Sequence, residues 1–412
     1  MKNTPEAASP YCRTVELAGT DATGFVVIDS FLGGGGTGGI RMSRGVTQQE
    51  VADLAHEMSL KFAWLNIPRG GAKSGICCDH SVTETERKEI LSSFGAAIAD
   101  LLSDGRYVAG MDLGIGKTEL ETIMTAAGMK SGGDYQGDID SNLFTALTVF
   151  SALQALVRER QQQIDTMSFL IEGAGKVGGH LMRLIDEAGG KVVGVSTIKG
   201  ALIDPDGLDV ARLLELKEQF GDACIEHMDG NVLASPADLY WQDADVLIPG
   251  ARTNSITLDN VPRLRVRFIV PIANAVASEE TELAMHDAGI AYLPGFVTNS
   301  GGIFCWYIAR LNADARENMI RLGFGNKVAA LVAMADRKNM SIAALARRQA
   351  KAKASQMLAE TNGPPSARIV GTLRKLSPRR ILFIVLGKIL GKQWSKKDTA
   401  PCRWYYDAKY FS

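Results

Sequence analysis

No run of about eighteen apolar residues occurs in these 412 residues, so no segment is suited to cross a bilayer as a helix. The opening MKNTPEAASPYCR also lacks the apolar core that a secretory signal needs. Cysteine is scarce: Cys12, Cys77, Cys78, Cys224, Cys305 and Cys402 form neither CxxC nor any other metal-binding spacing. No metal site is expected, and the thiols read as reduced groups in a cytoplasmic protein, with Cys77 and Cys78 on opposite sides of a strand. Net charge is nearly absent as well, 45 Lys and Arg against 46 Asp and Glu, which excludes the overall basic footprint of a nucleic-acid-binding protein. No internal repeat is found. What the chain does have is 46% hydrophobic content, enough for sizeable cores in two or more domains.

It also places ionisable groups among small residues. PRGGAKSG, Pro68 to Gly75, sets Lys73 in a glycine-rich turn that nothing bulky can crowd. Lys61 lies twelve residues upstream, on a helix expected over Gln48 to Phe62, and Asp112 follows a strand in AGMDLGIG. Glycine lets a substrate or backbone come close. Two lysines with one carboxylate can bind an anionic substrate and move a proton.

A nucleotide-binding pattern follows, in MSFLIEGAGKVGGHLMRLIDEAGGKVVGVS. The apolar run Ser168 to Ile171 leads into Gly173, Gly175 and Gly178, spaced GxGxxG. Helical periodicity then covers Val177 to Ala188, and a second apolar run spans Val192 to Val195. Strand, tight turn, helix, strand is the context in which those glycines admit a pyrophosphate to a helix N-terminus. Lys176 and Val177 stand in that turn. At the end of the second strand, where an acid usually holds the adenosine ribose, the chain has Ser196 and Thr197, with Lys199 beyond. NAD or NADP is the expected cofactor.

These motifs occur in the order that marks the glutamate/leucine/phenylalanine/valine dehydrogenases, and from about Gly24 to Arg310 the chain resembles that superfamily. The markers are GGTGGIRM (Gly35 to Met42), SLKFAWLNIPRGGAKSG (Ser59 to Gly75), MDLG (Met111 to Gly114), the GxGxxG unit, DPDGLD (Asp204 to Asp209), PGARTN (Pro249 to Asn254), IAN (Ile272 to Asn274) and PGFVTNSGGI (Pro294 to Ile303). The short lead before GGTGGIRM is most similar to the compact leucine and phenylalanine enzymes. The resemblance implies an α/β fold: an N-terminal catalytic and dimerisation domain over residues 14–140, then a Rossmann NAD(P)-binding domain over 141–310. Helices over 311–362 would return to the first domain, and in the family the catalytic cleft lies between the two domains. A homo-oligomer acting on a small amino acid or 2-oxo acid is implied, with no nucleic-acid partner.

Roles follow by resemblance. Lys61 would hold the substrate α-carboxylate, Lys73 would act on the attacking water and carbonyl oxygen, and Asp112 would shuttle the amine proton. Thr37, Gly38, Gly39, Asn299, Ile303 and Trp306 would line the substrate. Thr145, Ala251, Asn254, Asn274 and Asn299 would join the glycine turn in holding the cofactor, although the glycine usual three residues after that threonine is Thr148 here.

The departures concern the substrate. Glutamate enzymes place a lysine before the GG of GGxR and a serine seven residues after the asparagine of NxGG, both for the side-chain carboxylate; this chain has Thr37 and Trp306. A second carboxylate would then be buried without partners, which is expensive, so a non-acidic amino acid or oxo acid is expected. Trp306 reads either as core packing or as a side-chain pocket filler. Arg69 adds a cation, and Gly295 replaces an acid. The alternatives are a related imine or oxo reductase of a specialised pathway, and a non-catalytic nucleotide-binding homologue.

The end of the chain differs from the rest. Residues 363–412 hold eleven Lys and Arg against two acids, while the preceding 362 hold thirty-four against forty-four. This basic, amphipathic tail is expected to pack on an acidic protein surface, with peripheral membrane contact as the alternative.

Overall fold

The computed structural model describes residues 10–17, 19–78, 82–129, 139–309 and 311–362, and the basic tail lies outside them. The chain divides into two compact units, one built on residues up to Gly133 and taking in the chain from Ala350, the other running Asp134–Gln349. Among the described residues no helix is long and apolar enough to cross a membrane.

The first unit contains β1 (Tyr11–Glu16), β2 (Thr23–Ile28), β3 (Gly36–Ser43), β4 (Gly70–Cys77) and β5 (Tyr107–Met111), with α1 (Gln48–Trp64), α2 (Glu84–Ala97), α3 (Ala99–Ser103) and α4 (Lys117–Ala126). The strands form one sheet in the order β1-β2-β4-β3-β5. β1, β2 and β4 run antiparallel in succession, and β4, β3 and β5 are parallel. Thr47 starts α1 by accepting the Glu50 N–H at 3.2 Å, the N-cap geometry that satisfies an otherwise orphaned donor.

GGAKSG, read as a turn, is the strand β4. The β3–α1–β4 crossover seats it between β2 and β3 with both edges hydrogen-bonded, and its glycines serve packing instead of turning. A Cβ on Gly71 would stand 2.2 Å from Ser59 N of α1, and one on Gly75 would stand 2.4 Å from Val46 Cγ1. One face of the sheet packs Val26, Ile28, Ile40 and Ile76 against Ile90, Phe94 and Leu101, while Val27 and Val51 pack on the other. Cys78 joins the first cluster and Cys77 the second, so the two thiols do face opposite sides, although Cys78 lies just past the strand. α2 and α3 are separated at Ile98, which has φ −113°, ψ 10° and a fully buried side chain.

The second unit contains β6 (Ser168–Glu172), β7 (Lys191–Thr197), β8 (Gly200–Ile203), β9 (Asn231–Leu233), β10 (Val246–Ile248), β11 (Phe268–Ile269) and β12 (Ala291–Tyr292). Its helices are α5 (Ser141–Glu159), α6 (Lys176–Glu187), α7 (Val210–Phe220), α8 (Glu279–Asp287), α9 (Gly295–Thr298), α10 (Gly301–Tyr307), α11 (Ala313–Asn318), α12 (Gly325–Lys338) and α13 (Ile342–Asn362). The sheet order is β12-β11-β10-β6-β7-β8-β9, parallel from β12 to β7 and antiparallel beyond. Short apolar strands such as SFLI and VLI suit a parallel sheet buried on both faces. The chain leaves β6 for β7 on one side and later returns to β10 on the other, so the topological switch lies between β6 and β10. Ligands bind at the strand carboxyl ends of such a switch. α11 and α12 group with this unit, and α13 groups with the first only from Ala350. Arg347 of α13 and Glu282 of α8 form a buried ion pair, Nη2 to Oε1 2.7 Å and Nε to Oε2 3.1 Å.

Candidate active site

In the first unit the strands bring Lys73 and Asp112 together, and α1 sets Lys61 within electrostatic reach of both. β5 ends at Met111, which puts Asp112 beside β3 and β4. There its Oδ2 lies 2.6 Å from Lys73 Nζ and 3.1 Å from Nε of Arg41. Arg41 also reaches Glu50 Oε1 at 2.6 Å. Burial opposes ionisation of Asp112, yet Lys73 and Arg41 outweigh it and hold the carboxyl down to about 2. Lys61 is enclosed on α1 at 4% exposure. Burial pushes its pKa down to about 8; Glu57 one turn away and Asp112 work against that shift, and Lys73 adds to it.

Beside this cluster β3 and β5 carry glycines. Along β3 the alternation leaves Thr37, Gly39 and Arg41 half-exposed and buries Gly38 and Ile40. Gly39 pairs with Gly110 of β5, and the nearest atom to a Cβ on Gly110 would be 3.9 Å away. Gly110 thus leaves space without a side chain next to Asp112, whereas a Cβ on Gly39 would stand 2.5 Å from Met111 O, so Gly39 lets β3 and the end of β5 approach. Gly38 is required for packing, since its Cβ would lie 1.6 Å from Ala72 O. Thr37 stands level with Gly71, two residues or about 6.6 Å along β4 from Lys73. Arg69 Nε donates to Thr37 Oγ1 at 2.8 Å, with Nη2 3.4 Å from Gly36 O. The extra cation therefore sits against Thr37.

The second unit builds a different site. Gly173 adopts φ +94° and donates its N–H to Ser196 O at 3.0 Å. A Cβ on Gly178 would stand 2.0 Å from Gly173 O, so both positions need glycine. Gly175 caps α6, exposing Lys176 at the carboxyl end of β6, with Val177 half-buried. Ser196 is buried, and the Thr197 hydroxyl is engaged, donating to Asp222 O at 2.8 Å and accepting from Lys199 N at 3.1 Å. The exposed residues there are Ile198 and Lys199.

Asn254 has φ +49° and donates its N–H to Ala275 O at 2.8 Å, tying the loop that carries Ala251 to the segment of Asn274. Asn299 Nδ2 donates to Ile272 O at 2.8 Å and to Asn274 Oδ1 at 3.0 Å, while its buried Oδ1 has no hydrogen-bond partner among the described residues. Such an orphaned acceptor suits a carboxamide N–H, and with the glycine turn and helix end it makes this unit fit a nicotinamide dinucleotide.

Several departures acquire a physical reason. Thr148 replaces a glycine because its Oγ1 accepts the Gly301 N–H at 3.0 Å, satisfying a donor at the start of α10. Thr145 Oγ1 donates to Ser141 O at 2.8 Å and would be 2.8 Å from a Cβ on Gly302. Gly295 has no room for an acid, since its Cβ would stand 2.5 Å from Ala273 O. Ile303 is half-buried on α10. Trp306, three residues on, is 37% exposed, so it is not a core residue. Glu172, the last residue of β6, also belongs to this site, and its signal in the sequence is an acid closing an apolar run.

Both halves of the chain match one family: residues 137–359 match Glutamate/Leucine/Phenylalanine/Valine dehydrogenase, and residues 18–129 match the Glu/Leu/Phe/Val dehydrogenase dimerisation domain. The chain belongs to this family. It is accordingly an oxidoreductase of the amino-acid dehydrogenase class, with a two-domain α/β fold whose second domain is Rossmann-like. It is similar to the NAD-specific glutamate dehydrogenase of Staphylococcus aureus, 28% identical over 288 residues that cover 66% of this chain and 67% of that protein. In fold it is similar to hetero-hexameric glutamate dehydrogenase from Thermus thermophilus, with a TM-score of 0.74, 22% identity and coverage of 86% and 90% of the two chains. It is also similar to L-tryptophan dehydrogenase from Nostoc punctiforme, with a TM-score of 0.58, 22% identity and coverage of 85% and 97%.

Proposed function

We propose that this chain is an NAD(P)-dependent amino-acid dehydrogenase that deaminates a non-acidic amino acid and aminates the corresponding 2-oxo acid. The observation that carries the reading is the 2.6 Å contact of Lys73 with Asp112 beside the enclosed Lys61 and the space left at Gly110. Lys61 binds the α-carboxylate, whose negative charge favours the protonated lysine that burial disfavours. Lys73 polarises the carbonyl oxygen and holds the attacking water. Asp112 takes the amine proton; at a pKa of about 2 it is a weak base alone, and an incoming carboxylate offsets the surrounding cations and raises it. Asn274, Asn299, Thr145 and the Gly173–Gly178 turn hold the dinucleotide, which when bound accepts the hydride from the α-carbon.

Support for a non-acidic substrate is the threonine at position 37 and the tryptophan at 306. One observation favours a second reading, an acidic side chain: Arg69 stands against Thr37. Support for NADP being accepted at least as well as NAD is the lack of an acid at the end of β7 and the exposed Lys199; the nearby Asp222 carboxylate is paired with Lys217. The match to a dimerisation domain supports a homo-oligomer, which native mass measurement checks.

A panel of amino acids with both cofactors, followed by absorbance of the reduced cofactor, tests the function. Turnover of aliphatic or aromatic substrates without glutamate supports the first reading. Glutamate turnover lost in Arg69→Leu supports the second. A protein that binds dinucleotide yet oxidises no amino acid would refute both.

A further inference from the structure

We infer that Arg252, positioned by the buried carboxylate of Glu172, is a ligand for the pyrophosphate of the bound dinucleotide. The inference rests on the reading that the second unit binds NAD(P), and goes beyond the glycine turn by assigning a side chain to the phosphates.

Glu172 closes β6 at 2% exposure. Its Oε2 accepts from Tyr240 Oη at 2.9 Å, Gly250 N at 3.1 Å and Ala251 N at 3.0 Å, and its Oε1 from Arg252 Nε at 3.0 Å. Four donors, one of them charged, offset the cost of burying a carboxylate. They also fix the loop after β10, which leans on β6 so closely that a Cβ on Gly250 would stand 2.1 Å from Glu172 O. Tyr240 Oη continues the brace to Ser255 Oγ at 2.9 Å.

β6 and β10 are neighbours, Ile171 beside Ile248, and flank the topological switch. The residue after Glu172 is Gly173, where a Cβ would be 3.9 Å from Ala251 Cβ. Arg252 is thus held at the rim of the phosphate-binding turn. A bare carboxylate at that place would repel a pyrophosphate. Pairing through Nε neutralises it and leaves the two Nη groups without a protein partner among the described residues, on a side chain 54% exposed. A guanidinium anchored on one edge and open on the other suits a second oxyanion.

The experiment is a calorimetric titration of the full-length protein with NAD, NADP and ADP-ribose, which shares the pyrophosphate and lacks nicotinamide. Arg252→Gln should weaken all three by a similar factor, about tenfold, and flatten the salt dependence of binding; melting should fall as well, because the buried Glu172 carboxylate loses its charged partner, so affinity is read on the folded protein. Arg252→Lys should recover part of the loss. Glu172→Gln should weaken ADP-ribose in the same direction although Arg252 is still present. Unchanged affinity in Arg252→Gln, or a loss confined to NADP, would overturn the assignment and leave the cofactor reading standing. A wild-type protein that binds none of the three removes both.

Discussion

The two glycine-rich regions of this molecule use the absence of side chains for opposite purposes. In the first unit Gly110 leaves part of a sheet face clear so that side-chain ions can act on whatever lies there. In the second, Gly173 and Gly178 clear a turn so that backbone amides and a helix end meet the ligand directly. Buried ions have pKa values that their surroundings set, as Lys61 and Asp112 show with values near 8 and 2. Backbone dipoles do not titrate. The first region is therefore suited to proton transfer and should respond to pH, and the second to holding an anion with little response.

The largest test of that division is Lys73→Ala, which should lower kcat by about 10²–10⁴-fold while dinucleotide affinity stays at the wild-type value. Asp112→Asn should behave alike, keeping shape and losing the proton acceptor. Near wild-type turnover in Lys73→Ala would break the assignment.

Glu282→Gln gives the contrast of a buried ion pair with no chemistry assigned. Arg347 would keep the exposed Glu279, 3.9 Å from its Nε, and loss of the buried pair should cost about 1–3 kcal/mol in denaturant unfolding. Dinucleotide binding and kcat of the remaining folded protein should be unchanged, and a selective loss of kcat would show that the pair is not merely structural.

pH separates the regions next. Affinity for a competitive monocarboxylate should be level up to about pH 8 and then fall, up to tenfold per unit, as Lys61 loses its proton, whereas dinucleotide affinity should stay level across the same window. Stability should move the other way. The folded state disfavours protonated Lys61, so the unfolded chain binds more protons between about 8 and 10.5, and this group's contribution rises with pH there. Lys61→Met should remove both effects.

The smallest expected effect is on cofactor choice. Thr197→Asp should reduce NADP affinity by about tenfold relative to NAD by placing a carboxylate near the 2′-phosphate. A strong NAD preference in the wild type, untouched by the substitution, would reject the proposed tolerance of NADP.

Legibility in the sequence followed the range of the interaction. The glycine turn and α6 were readable because strand, turn and helix lie within thirty consecutive residues and each obeys local rules. α1 was readable for the same reason, from Gln48 onward. GGAKSG was misread as a turn because glycine permits turns and close-packed strands alike, and only the crossover through α1 decides between them. Lys73 and Asp112 were singled out one by one. Arg41 was passed over, as was the link from Arg69 to Thr37, because each depends on which strands are neighbours.

The order of motifs by itself determined the family resemblance, the two-domain α/β plan and the residue types needed for an anion, a proton and a dinucleotide, since each motif encodes a local backbone requirement. Only the tertiary structure decided that β5 lies against β3 and so brings Asp112 to Lys73 across thirty-nine residues, that α1 encloses Lys61 and lowers its pKa, and that Glu172 closes on the loop after β10. Burial and ion pairing come from residues far apart in the chain, and the charge state of a group is set by what surrounds it in space.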